Sequence, residues 1–163
     1  MENLYKNLTE KTFKKLAVLF CFLGDILIFY YIWIDAFPRI FGLITKEVKK
    51  NPALTQNAVP VNFFDELYQL SKQAMLAMFI GVLIVHTVNY FYYGKGKKFA
   101  YKYMKLQSSL GGLCLFLLGF SNLLLGGMYL AYTASGLLML YTFIGLNQFP
   151  PKTSAPKASS KKV

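Results

Sequence analysis

The sequence predicts an all-α integral membrane protein, a four-helix bundle with both termini in the cytosol. Composition is the first reason. The chain is 55% hydrophobic and 15% charged over 163 residues, too little polar surface to cover a soluble domain of that size. The second reason is clustering. Residues 16–37 carry two charges, Asp25 and Asp35; residues 74–93 carry none unless His86 is protonated, and residues 106–149 carry none. A hydrocarbon core of about 30 Å takes about 20 helical residues to cross. The first two runs are therefore one crossing each and the third holds two, with spans at about 16–37, 66–93, 99–121 and 126–148. Helices satisfy their own backbone groups in lipid, whereas a barrel would show many short alternating segments.

Lysine placement gives the sidedness. With the N-terminus inside, Lys and Arg count 13 on the inner connections and tails against 5 on the outer segment. That excess places both termini in the cytosol of a cell membrane, the inner membrane in a bacterium.

Residues 1–15 read as a polar cytosolic arm. Lys11, Lys14 and Lys15 precede an apolar run too long for a signal-peptide core, and no A-x-A site follows, so span one reads as an uncleaved anchor. The sequon Asn7-Leu8-Thr9 is expected to stay unused on a cytosolic arm. Phe29, Tyr30, Tyr31 and Trp33 suit the outer headgroup level. Residues 38–62 form the external segment. Ile40, Ile44 and Val48 recur every four residues there, which predicts a short surface amphipathic helix ending at Asn51-Pro52.

Asn62 is then the expected N-cap of span two, with Asp65 and Glu66 in its first turn. Tyr90, Phe91, Tyr92 and Tyr93 mark the inner interface, and Gly94 and Gly96 suit a helix end. Lys98, Lys102 and Lys105 fall at i, i+4, i+7, a face that can snorkel to anionic lipid headgroups. The last turn lies within residues 121–127, with Ser121-Asn122 and Gly126-Gly127 as rival positions. Residues 150–163 have the composition of a disordered basic tail.

Small residues mark the expected helix contacts. Span three aligns Ser108, Gly112, Leu115 and Gly119; span four offers Gly127, Ala131, Ser135, Leu138, Thr142 and Gly145. Such stripes let backbones approach inside lipid.

Chemistry is sparse. One histidine and the absence of metal-ligand, triad or phosphate-loop motifs argue against an enzyme and against a metal or other cofactor. Cys21 and Cys114 sit at depths that oppose a disulfide, and no C-x-x-C exists. A net charge of +11 invites nucleic acid, yet 17 lysines against one arginine fit a topology signal better.

Polar groups inside a membrane are costly, which makes them the candidate site. Asp25 and His86 fall at similar depth on adjacent antiparallel spans, with Asn89 on the face of His86 and Gln107, Ser108 and Thr142 near the same layer. The leading expectation is an accessory, assembly or scaffold subunit, working through contacts with a membrane-protein partner or a second copy. The alternative is a small oligomeric proton- or ion-coupled transporter or channel using the Asp25–His86 pair.

Overall fold

A computed structural model describes residues 5–50, 60 and 62–150. Among the described residues, regular structure is entirely helical: α1 (Glu10–Tyr31), a π-helical turn (Ile32–Ala36), α2 (Phe37–Lys50), α3 (Phe63–Gly94), α4 (Lys98–Ser121), a 3-10 turn (Leu123–Leu125) and α5 (Gly127–Gln148). Four helices are long and apolar enough to cross a membrane. The end of the external helix expected at Asn51-Pro52, and all of the tail but Pro150, lie outside the described residues.

Span one and the expected amphipathic helix are not separate elements. The helix runs unbroken from Glu10 to Lys50, about 60 Å at 1.5 Å per residue. Thr9 starts it, its hydroxyl accepting from the Thr12 amide at 3.2 Å. The reason it survives Pro38 lies upstream. Proline lacks an N–H, and its ring collides with the carbonyl four residues back, here that of Ile34. Ile34 sits within the wide π turn, in which the Phe37 amide reaches back to Ile32.

The π turn also keeps Phe29, Trp33, Phe37 and Phe41, each four residues apart, facing α3. Phe29 stacks on Phe79 at 4.7 Å between centroids. The Lys72 ammonium lies 4.8 Å from the Trp33 ring, and Phe37 and Phe41 flank Tyr68 at 5.4 and 5.1 Å. Three of the four aromatics expected at the headgroup level therefore pack between helices, Tyr31 against Tyr132 of α5 at 5.9 Å, while Tyr30 stays exposed. On α2 itself Ile40, Leu43 and Ile44 are exposed.

The α4–α5 hairpin is the most intimate pair, and α1 packs across it. Ser108, Gly112, Leu115 and Gly119 are all buried on one face of α4. A Cβ on Gly112 would come within 3.2 Å of the Gly136 carbonyl oxygen, and one on Gly119 within 2.6 Å of the Tyr129 carbonyl oxygen. On α5 the buried face is Tyr132, Ser135, Gly136, Met139, Thr142, Gly145 and Leu146. Ala131 and Leu138 are only half-buried and Gly127 is exposed. The small-residue stripe expected on span four thus lies partly off the contact face, because large Tyr132, Met139 and Leu146 share it. Met139 is fully buried; its side chain fills the hollows over Gly24 of α1 and Gly111 of α4.

Both rival turn positions are used. Helix α4 stops at Ser121 with Asn122 as C-cap, and α5 starts after Gly126. Gly126 has φ 155°, a conformation that side chains disfavour.

The N-terminal arm docks rather than lying free. Tyr5 is buried, stacks on Tyr141 at 4.8 Å and donates its hydroxyl to the Tyr141 carbonyl oxygen at 2.6 Å. Gly145 gives that ring and Phe13 their space. A polar reading of residues 1–15 overlooks two aromatic side chains, Tyr5 and Phe13, that reach an apolar socket.

Helix α3 packs on α4 and α1. Asn62 holds its N-cap position, but its side chain makes no capping bond; the backbone carbonyls of Pro60 and Asn62 accept from Phe63 and Glu66 instead. Met78, Ile80, Ile84, Val85, Val88 and Phe91 leave a broad apolar face uncovered.

Candidate functional site

Three helices deliver polar side chains to one point. On α1 the buried stripe Phe13, Ala17, Cys21, Gly24 and Asp25 follows helical spacing, so Asp25 faces the bundle, 3% exposed. On α3, His86 and Tyr90 are one turn apart and share a face. On α4, Tyr103 and Gln107 are likewise one turn apart, beside the stripe that meets α5.

The contacts converge on the Asp25 carboxylate. His86 Nδ1 lies 2.7 Å from Oδ2. The Tyr90 hydroxyl donates to the same oxygen in a very short bond. Gln107 Nε2 donates to Oδ1 at 2.8 Å and to the Tyr90 hydroxyl oxygen at 2.5 Å. With the imidazole proton on Nδ1, the carboxylate has three donor groups and both amide hydrogens of Gln107 are used. That assignment makes the 3.0 Å approach of Gln107 Nε2 to His86 Nδ1 a contact between two donors rather than a bond. Tyr103 sets its ring edgewise to the imidazole at 5.7 Å.

An ionised carboxylate in an apolar bundle is tolerable only with such partners. Here the partners come from α3 and α4, so the cluster ties α3 to the rest. Gln107 Oε1 is the exception, a buried acceptor with no donor among the described residues. His86 keeps 17% of its side-chain surface exposed.

The structure brings Asp25 and His86 together, as their equal depth anticipates. Asn89 does not join them. It donates to the Val85 carbonyl of its own helix at 2.8 Å, because the residue aligned with His86 towards α1 is Tyr90, at i+4 rather than i+3. Ser108 and Thr142 are buried but turn to carbonyls of their own helices, Lys105 and Leu138. Tyr90 is the member that sequence reading assigned elsewhere, to the inner aromatic belt. Its signal was available in the spacing of four from His86. Lys98 and Lys102 are exposed and Lys105 is half-buried, its ammonium 5.7 Å from the Phe143 ring.

Among the described residues, no three His, Cys, Asp or Glu side chains converge as a metal site would require. Cys21 is buried and Cys114 exposed, both as free thiols. Comparison with protein families, with curated proteins and with solved structures finds no match to this chain.

Proposed function

We propose that the protein is a membrane-embedded accessory, assembly or scaffold subunit that works through helix–helix contacts. One observation carries the reading. Exposed Ile40, Leu43 and Ile44 sit three to seven residues beyond the apolar run 16–37, where hydrocarbon of about 30 Å no longer reaches them. Apolar surface in that position is a contact surface for protein. The polar cluster supports the reading, since it fastens α3 internally and leaves its outer face for a partner. The lysine asymmetry orients this segment of α2 outside the cell and both termini in the cytosol, with the basic turn against anionic headgroups.

Purification in mild detergent, with the particle mass measured and co-migrating proteins identified, tests this directly. A second copy or a stoichiometric partner is expected, lost on Leu43→Asp. A bare monomer of wild-type protein would refute it.

A second reading, a proton- or ion-coupled transporter or channel acting as an oligomer, draws on Gln107 Oε1. Turning the amide over would offer that oxygen to a protonated Asp25, so the cluster has a natural second arrangement. Asp25→Asn would then abolish pH-dependent flux in reconstituted vesicles while leaving the fold intact.

A further inference from the structure

Beyond the apolar runs, the turns of α2 and the first turns of α3 lie side by side and enclose an open groove of about 740 Å³, the size of a ligand cleft. The sequence of α2 explains the gap. Phe41 meets Tyr68 at one end, and the Lys49 ammonium reaches the Phe64 ring at 5.2 Å at the other. Between them stands Gly42, where an added Cβ would meet nothing within 4 Å. The half-buried rings of Phe41, Phe64 and Tyr68 therefore form an apolar floor without a side chain over it.

The rim is basic. Lys46, Lys49 and Lys50 line the groove against one acid, Asp65. Lys50 is paired with Glu47 at 2.7 Å, whereas Lys46 joins none of the ion pairs among the described residues. Residues 51–64 contain no acid, so the chain between the two helices brings no anion to these lysines. Lys46 and Lys49 lie about 14–18 Å past the apolar run 16–37 at 1.5 Å per residue. A headgroup layer of about 5–8 Å ends short of them. Lysines at that height meet an acid of protein rather than of lipid.

We propose that this groove receives an acidic segment of a partner protein, with an aromatic side chain on the floor and carboxylates at Lys46 and Lys49. Ring-on-ring contact would cover the floor, and opposite charge would select the partner. The proposal rests on the scaffold reading for taking the occupant to be protein. That reading is judged by particle mass and this one by peptide binding to the purified particle, so the two fail separately.

The test uses the full chain in mild detergent and a fluorescein-labelled peptide of repeated Glu-Glu-Phe, read by anisotropy, with repeated Gln-Gln-Phe as its uncharged counterpart. The acidic peptide is expected to bind saturably and about tenfold or more tighter than the neutral one. Gly42→Leu grows a side chain into the open space; it should keep Tm at or above wild type, since glycine is a poor helix former, and abolish binding. Lys46→Glu with Lys49→Glu should weaken binding about tenfold. Lys98→Glu with Lys102→Glu, the same charge change far from the groove, should not. Asp65→Asn removes the opposing acid and should tighten binding. The proposal is overturned if the acidic peptide does not bind, if the neutral peptide binds as well, if folded Gly42→Leu binds as wild type does, or if the two lysine pairs weaken binding equally. Competitive displacement of the peptide by short-chain phosphatidylglycerol would assign the groove to lipid and overturn it too.

Discussion

His86 Nδ1 and Asp25 Oδ2 meet at 2.7 Å across 61 residues of chain, joining α3 to α1 within the apolar layer. Around them Tyr90 and Gln107 close the ring of donors. The acid is thereby supplied with partners from both neighbouring helices, which is the condition for its tolerance in lipid.

Glycine contacts give predictions of opposite sign. A Cβ on Gly119 would meet the Tyr129 carbonyl and the Thr133 backbone, which cannot yield as a side chain can. Gly119→Ala is expected to destabilise by about 2–3 kcal/mol. Gly81 has open space where its Cβ would go, and Gly81→Ala should stabilise by up to about 1 kcal/mol through helix propensity. Thermal unfolding of both variants in one detergent checks the order; equal effects would place the α4–α5 contact elsewhere.

The N-terminal arm should respond to alkali. Burial, aided by neighbouring Tyr141, raises the Tyr5 pKa from 10.0 to about 12. The unfolded phenol ionises first, so the docking contribution is complete below about pH 10. It falls as pH rises from there through about 12. Proteolysis of the arm is expected to accelerate over that interval. Tyr5→Phe removes this tyrosine's share of the pH dependence together with the hydrogen bond to Tyr141; an unchanged profile in that variant would contradict the assignment.

Reporter tags at both termini and in the turn at residues 94–97 should read as cytosolic, and one near residue 55 as external. The prediction follows from the lysine asymmetry. A C-terminal tag facing outside would reverse the sidedness while leaving the internal geometry as it stands.

Helical character was legible because uncharged runs of this length have one stable form in lipid. The α4 face was legible too, since Ser108, Gly112, Leu115 and Gly119 follow helical spacing. Continuity through Pro38 was not, because a π turn is an adjustment between a proline and the packing of its neighbours, with no composition of its own. The aromatic runs misled for a related reason. Tyr90 to Tyr93 look like one belt, yet a helix turns 90 and 93 inward and 91 outward. Gln107 was legible by depth, in the layer of Asp25 and His86, but Tyr90 joined the site through facing helices, and the angle between helices is not written in any single one of them. Asn89 lost its place by the same quarter turn.

Asp25 and His86 act as one structural unit, which a double-mutant cycle in unfolding stability can show. Asp25→Asn and His86→Gln should each destabilise the protein, since each leaves buried partners uncompensated. The double variant should recover part of the summed loss, a coupling of about 1–3 kcal/mol. Strictly additive losses, or single variants as stable as wild type, would contradict the account.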